Sequence, residues 1–208
     1  RRRVAVRSVG TTVRTVVRGL REMGIGRPSR VPPTSILRPT TGRRHARALG
    51  VPLDDVVVAA HRLGVTVNDV IVAAVGGALF DLLRARGESP SHVVVSVPVS
   101  ARSAGADLGN QVGAIPVAVP AGPSPESRLR AVAAQTRRAK SQQRGSSAAV
   151  LAVVFRSLAA LRLEQYFINR QRLVHTFETN LRGPAEQLRI AGTPLIRILP
   201  IAVNPGNV

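Results

Sequence analysis

The sequence predicts an α/β fold, and three features lead to that prediction. Helical patterns alternate along the chain with short β-branched runs, which is the arrangement of a mixed sheet flanked by helices. Two of these runs, 93–99 and 112–119, are almost wholly apolar, as expected for strands buried on both faces. Hydrophobic residues make up 44% of the 208 residues and aromatic residues only 2%, so aliphatic side chains must form the core.

The beginning of the chain predicts a basic helix followed by a connector. Residues 4–23 place valines at helical spacing and arginines on another face. Residues 27–41 contain four prolines and must be extended. We therefore expect residues 1–41 to form a separate helix and connector, and residues 42–208 to form the main domain, truncated at both ends.

The main domain opens with a predicted strand over 43–51 and a helix from Pro52 to Gly64. A longer helix over 67–87 is apolar around most of its circumference and should be central and buried. Thr66 can cap this helix, and the Asp69 side chain can accept a hydrogen bond from the Thr66 backbone N–H to complete a capping box. The pair Gly76-Gly77 permits a close backbone contact along it.

The remaining elements are predicted by the same reasoning. Pro98 and Pro116 indicate bulges or sheet edges within the two apolar strands. A small, polar loop should span 101–110 between them. Further on we expect helices at 125–144 and 147–166, and strands at 173–179 and 188–203 that are interrupted by Gly183-Pro184 and Thr193-Pro194.

The charge of the chain restricts its partners. Lysine and arginine total 30 against 11 acidic residues, a net charge of +19, and Lys140 is the sole lysine. An arginine-rich surface suits nucleic acid, an anionic membrane or a phosphate-rich molecule such as coenzyme A, and it can also be merely solvated. The absence of cysteine excludes disulfides and a cysteine nucleophile. No apolar run reaches the roughly 20 residues of a membrane-spanning helix.

Four short segments together resemble one enzyme family. They are Thr66–Leu79, with its Asn68-Asp69 pair; Pro98-Val99-Ser100-Ala101-Arg102; Leu108–Gly113, with Asn110 and Gly113; and Thr179-Asn180-Leu181-Arg182-Gly183-Pro184. Each alone has an ordinary explanation as a cap, turn or strand end. In this order and spacing they resemble the C-terminal half of the wax ester synthase/diacylglycerol acyltransferase family. Residue 37 departs from the pattern, since the family often has Asn near Leu37.

The resemblance implies half of a coenzyme A-dependent, chloramphenicol acetyltransferase-like fold, in which two α/β halves face each other across a tunnel. It implies an acyl-CoA-dependent O-acyltransferase that makes triacylglycerol or wax esters from diacylglycerol or long-chain alcohol. The general base of the family belongs to a His-His-x-x-x-Asp-Gly motif, which this sequence does not contain. We therefore expect no catalytic residue in this chain, no activity from it alone, and a partner in the N-terminal half of the enzyme.

The resemblance also assigns candidate site residues. The tunnel or substrate-binding candidates are Asn68, Asp69, Asn110, Gly113, Thr179 and Asn180. The candidates for binding the phosphates of coenzyme A are Arg130, Arg137 and Arg144, which share one face of the predicted helix at 125–144. Among four isolated histidines only His175 lies near a motif, and a lone histidine in a strand is usually structural.

The expected ligands are substrates rather than resident groups. Acyl-CoA enters as a substrate, and no metal or permanently bound cofactor is expected. The enzyme should be cytoplasmic, at most peripheral to the inner membrane or lipid bodies, because its acceptors reside in membranes. The alternative is a noncatalytic basic protein that binds nucleic acid or an anionic membrane surface. Five aromatic residues, one Tyr and four Phe, are too few for a base-stacking platform, so nucleic acid is the less favoured partner.

Overall fold

The computed structural model describes residues 31–39, 43, 45–100, 112–142, 162–184 and 186–200. A short 3₁₀ helix, Ser35–Leu37, comes first among them. The other elements follow in the order α1 (Leu53–Arg62), α2 (Val67–Ala85), β1 (His92–Ser100), β2 (Val112–Pro120), α3 (Pro125–Gln142), α4 (Glu164–Arg170), β3 (Thr176–Phe177), β4 (Arg189–Ile190) and β5 (Thr193–Pro194).

The main sheet is mixed, with the strand order β2-β1-β3. β1 and β2 are antiparallel in an unbroken register that runs from His92 opposite Pro120 to Ser100 opposite Val112. β3 pairs with β1 in parallel, and β4 and β5 form a separate antiparallel ribbon. With helices packed on the sheet, the predicted α/β class is confirmed.

Aliphatic side chains from the sheet and two helices form the core on one face. Val93, Val95 and Val97 of β1 are buried against α2 and α3, as alternation along a strand requires. Helix α2 approaches the sheet most closely at Gly76, where an added Cβ would lie 2.5 Å from Cγ1 of Val119. The buried members are Val72, Ala73, Phe80, Leu83, Val93, Val95, Val97, Val117, Val119, Leu129 and Val132.

The two strand prolines occupy positions that cost the sheet no hydrogen bond. The carbonyls of Val94 and Ser96 accept bonds from the β3 side, so the even-numbered residues of β1 point their backbone groups away from β2. Pro98 continues that series beyond the last described β3 partner. Pro116 lies on β2, at the edge of the described sheet. The prediction of an edge is confirmed for Pro116, whereas the unbroken register shows no bulge at either proline.

Three of the helix predictions are confirmed. α1 and α2 match their predicted positions, with α2 ending two residues early, and α3 covers the described part of 125–144. Residues 162–163 were predicted as the end of a helix over 147–166, but Arg162 has a φ of 54° and α4 begins at Glu164. The predicted helix at 4–23, the loop at 101–110 and residues 147–161 lie outside the described residues.

Three strand predictions were wrong in extent. Residues 43 and 45–50 form no strand, and residues 45–50 are exposed, with Leu49 at 92%. Only Thr176–Phe177 of 173–179 pairs with β1, since the His175 ring occupies the N–H of Val94. In place of the strand predicted over 188–203, the described residues contain the short β4–β5 ribbon, whose chain reverses through positive φ at Ala191 and Gly192. Thr193-Pro194, predicted as a break, is β5 itself.

No single helix among the described residues is long and apolar enough to cross a membrane. Helices α1 and α2 would reach the length and hydropathy of a span only together, and the chain bends by 99° between them.

Candidate functional site

Three of the four motif segments meet at one end of the strands of the main sheet. β1 and β3 are parallel, so their carboxyl ends lie together at that end, and the antiparallel β2 begins there. Gly113 is paired with Val99, within the Pro98–Arg102 segment. Thr179 and Asn180 follow β3 after a single residue. Asn110 precedes β2 by two positions and lies outside the described residues.

The fourth segment, at the start of α2, lies toward the same end of the body. α3 follows β2 after a four-residue connection and packs back along it, so its C-terminal half returns toward the start of β2. Two bonds tie that half to the beginning of α2. The Thr136 hydroxyl donates to Asp69 at 2.6 Å, and the Arg137 guanidinium donates to the Gly64 carbonyl at 3.3 Å.

Asp69 is the best-connected side chain of this region. Its Oδ2 accepts from the backbone N–H of Thr66 at 2.9 Å and from the Thr66 hydroxyl at 2.7 Å, and its own N–H donates back to that hydroxyl at 3.2 Å. This is the predicted capping box, which is confirmed. Oδ1 takes the bond from Thr136, so one carboxylate both caps α2 and joins it to α3.

The electrostatics of Asp69 favour the ionised form. Burial alone would raise its pKa, but the hydrogen bonds from Thr136 and Thr66, aided by the charge of Lys140, outweigh burial and hold the pKa below its usual value. Both oxygens of this buried carboxylate already accept hydrogen bonds from the protein. Asp69 is therefore suited to positioning the start of α2 rather than to proton transfer.

Three other polar candidates, Asn68, Thr179 and Asn180, are open to a ligand. Asn68 is partly exposed at the first turn of α2, and Thr179 and Asn180 are exposed after β3. These three side chains make no hydrogen bond to another described residue. The structure thus places them toward one end of the body without joining them to each other.

His175 makes structural contacts through both ring nitrogens. Nδ1 accepts from the backbone N–H of Val94 at 2.9 Å, and Nε2 lies 3.3 Å from the carbonyl oxygen of Pro32. An accepting Nδ1 places the proton on Nε2, which donates to Pro32. Burial lowers the pKa of His175 to about 4, a shift to which the charge of His92 adds and which the Pro32 bond opposes. The neutral ring therefore joins Val94 of β1 to Pro32 of the connector through two hydrogen bonds.

Glu178 is a buried acid that the sequence analysis missed. It stands between β3 and the Thr179-Asn180 motif, it is 6% exposed, and its backbone N–H donates to Ser96. Neither carboxylate oxygen has a hydrogen-bond partner among the described residues. Burial raises the pKa of this carboxyl. Its position within the predicted strand over 173–179 was the available signal, because the register of a strand decides which of its residues face inward.

The arginine stripe is partly engaged by the protein itself. Arg130 forms an exposed ion pair with Glu126 at 2.7 Å, and Arg137 bonds the carbonyl that ends the α1–α2 turn. Arg144 lies outside the described residues. An exposed pair of this kind is weak and can exchange for a phosphate. The described residues contain no cluster of three His, Asp or Glu side chains suited to a metal ion.

Two family models match the chain. The wax ester synthase/diacylglycerol acyltransferase catalytic domain matches residues 3–71, and the WS/DGAT C-terminal domain matches residues 108–208. The first match includes the Asn68-Asp69 pair, and the second includes Asn110, Gly113, Thr179 and Asn180. The two matches therefore contain all six tunnel candidates.

Similar proteins include a mycobacterial pair. The Mycobacterium tuberculosis (strain ATCC 25618 / H37Rv) protein named "Probable diacyglycerol O-acyltransferase Tgs4" is 33% identical over 178 residues, which cover 80% of this chain and 37% of that protein. The Mycobacterium bovis protein Mb3115, also named as a diacylglycerol O-acyltransferase, matches with the same identity and coverage. The chain thus spans little more than a third of the length of these relatives.

A solved structure shows the same fold. The wax ester synthase/diacylglycerol acyltransferase from Marinobacter aquaeolei VT8 superposes with a TM-score of 0.60 and 20% identity, over 88% of this chain and 42% of that one. The chain therefore has the fold of the coenzyme A-dependent acyltransferases. With both family models matched, it belongs to the wax ester synthase/diacylglycerol acyltransferase family.

Proposed function

We propose that this chain forms one wall of the tunnel of an acyl-CoA-dependent O-acyltransferase that makes triacylglycerol or wax esters. The observation that carries the proposal is the placement of the family's motif segments. The carboxyl ends of β1 and β3 lie beside the start of β2 at one end of the strands, and the start of α2 lies toward that end. The names of the mycobacterial relatives support diacylglycerol as the acceptor, and a long-chain alcohol is the other candidate.

The chemistry assigned to this wall is stabilisation of charge. An acyl thioester attacked by an alcohol gains negative charge on its carbonyl oxygen, and fixed N–H or O–H donors lower the barrier. Asn68, Thr179 and Asn180 can supply such donors, and we include Asn110 by its motif. Asp69 acts indirectly, because its capping box and its Thr136 bond set the position of Asn68.

The general base comes from elsewhere in this proposal. The 208 residues contain no His-His-x-x-x-Asp-Gly motif, and both nitrogens of His175 are occupied. The partner is then the N-terminal half of the same enzyme, consistent with a match to 37% of the relatives' length. Arg130, Arg137 and Arg144 receive the phosphates of acyl-CoA. We place the enzyme in the cytoplasm, at the surface of the inner membrane or of lipid bodies.

The test is transfer of a radiolabelled acyl group from acyl-CoA to diacylglycerol or to a long-chain alcohol. The chain alone should give no detectable product, since loss of base catalysis alone costs on the order of 10²–10⁴ in rate and loss of positioning costs more. A separately produced N-terminal half that contains the histidine motif should restore turnover.

A matched pair of variants tests, in the reconstituted enzyme, whether the motif residues contribute to the tunnel. Asn180→Ala should reduce kcat, whereas Gln187→Ala, an exposed amide in the same part of the chain, should leave it unchanged. Robust turnover by the chain alone, abolished by His175→Ala, would overturn the proposal. Tight and steeply salt-dependent binding to DNA would instead favour a nucleic-acid-binding protein.

A further inference from the structure

The outer edge of β2 carries an unusual contact with helix α3. The side-chain amide of Gln135 bonds both backbone groups of Ala118. The N–H of Ala118 donates to Oε1 at 3.1 Å, and Nε2 donates to the carbonyl of Ala118 at 2.6 Å. A neighbouring strand would offer the same two partners to this residue. The side chain thus takes the place of a strand residue at the edge.

The register of the sheet explains why Ala118 needs such a partner. The backbone groups of Val94 point toward β3, because its carbonyl accepts from His175 and its N–H donates to the His175 ring. Ala118 is paired with Val94, so it forms a non-hydrogen-bonded pair and directs its own groups to the outside. Pro116 and Pro120 are paired with Ser96 and His92 and belong to the same outward series.

The outward series would otherwise be well suited to a second copy of itself. A two-fold axis at Pro116 would set Ala114 of one copy against Ala118 of the other, and each such pair would exchange two hydrogen bonds. Pro116 would face its own counterpart on the axis, so the N–H groups that the two prolines lack fall within a single pair of the ladder. Exposed strand edges of this kind are ready templates for pairing between chains.

We propose that Gln135 closes this edge and prevents the β2 strands of two copies from pairing. Each of those Ala114–Ala118 pairs would need both the N–H and the carbonyl of Ala118, and Gln135 already occupies both groups. Pro116 and Pro120 supply no N–H, so no donor of the outward series remains open from 116 to 120. Addition of a strand to the described sheet is thereby directed to the β3 side.

The test compares the wild-type chain with Gln135→Leu, which keeps a side chain of similar size and removes the amide. Hydrogen exchange at the Ala118 amide should be slow in the wild type and at least about tenfold faster in the variant at low protein concentration. Sedimentation velocity over increasing concentrations should then show stronger self-association of the variant. Renewed protection of Ala114 and Ala118 in the associated form should locate the contact at β2.

Two further variants keep the outcome unambiguous. Ser141→Leu adds an exposed leucine elsewhere on α3 and should associate no more than the wild type. Gln135→Asn keeps the amide but shortens its reach, and it replaces Gln135→Leu if that protein fails to fold. Faster exchange at Ala118 without added self-association would overturn the proposal and leave Gln135 as a packing contact. Pairing of wild-type chains through β2, or unchanged exchange at Ala118, would overturn it as well.

Discussion

The hydroxyl of Thr136 donates a 2.6 Å hydrogen bond to Oδ1 of Asp69, a residue 67 positions earlier in the chain. Both side chains are buried, and the other oxygen of Asp69 is already occupied by Thr66. A local helix cap has thereby become a long-range connection. It fixes the start of α2, and with it the candidate donor Asn68, relative to α3.

Replacement of Asp69 by Ala should therefore cost more than a cap. Loss of an N-terminal cap costs about 0.5–2 kcal/mol, and a buried hydroxyl left without its charged partner adds about 1–3 kcal/mol. We expect the free energy of unfolding to fall by about 2–4 kcal/mol in urea titrations. Asp81→Ala, which removes an exposed ion pair with Arg84 on the same helix, should change it by less than about 1 kcal/mol. Equal effects of the two substitutions would contradict the buried connection.

The two adjacent glycines of α2 should respond differently to alanine. At Gly76 the new Cβ would meet the branched side chain of Val119 at 2.5 Å, so Gly76→Ala should destabilise by about 1–3 kcal/mol. At Gly77 it would meet the flexible guanidinium of Arg128, which can move aside. Gly77→Ala should therefore be neutral or stabilising by up to about 1 kcal/mol, because alanine favours a helix. Thermal unfolding of both variants tests this difference, and the reverse order would contradict the observed contact.

His175 should make stability depend on pH in the mildly acidic range. The pKa of His175 is about 4 in the fold, whereas a histidine in the unfolded chain has a pKa of 6.5. Below pH 6.5 the unfolded chain therefore binds a proton at this residue and the folded chain does not. The contribution of neutral His175 to the free energy of unfolding is fully present above pH 6.5 and is lost as the pH falls toward 4. The loss between pH 7 and pH 5 is about 2 kcal/mol.

Urea titrations at pH 7 and pH 5 measure this loss directly. His175→Leu should remove it, whereas His61→Leu, at an exposed position on α1, should retain it. A His175→Leu variant with the wild-type pH dependence would show that another group is responsible.

Glu178 should destabilise the fold at neutral pH. Burial raises the pKa of Glu178 in the folded state, so its stabilising contribution is present below the ordinary glutamate pKa of 4.5 and is lost as the pH rises through the folded pKa. Glu178→Gln removes the charge and should raise the free energy of unfolding at pH 7, on the order of 1 kcal/mol. Glu186→Gln, an exposed acid in the same part of the chain, is the control. A loss of stability in Glu178→Gln would mean that the carboxylate has a partner.

Local patterns determined much of this protein. Helical periodicity predicted α2 and α3, and β-branched runs predicted β1 and β2, because each of these elements buries an apolar face. α1 was predicted from Pro52 at its start and Gly64 at its end. The capping box at Thr66 and Asp69 was also readable, since all its partners lie within three residues. The family's motif segments could be recognised for the same reason, as they are short and contiguous.

The tertiary structure alone decided how these segments meet. The pairing of β3 with β1 places Thr179 and Asn180 at the end of the sheet where β2 begins. The residues of a strand do not by themselves specify which strand lies next to it. The exposed segment at 45–50 and the shortened strands show the same limit, because a strand exists only where another strand or a core receives it. The bonds from Thr136 to Asp69 and from Gln135 to Ala118 span 67 and 17 positions, and such contacts depend on how helices pack rather than on any local pattern.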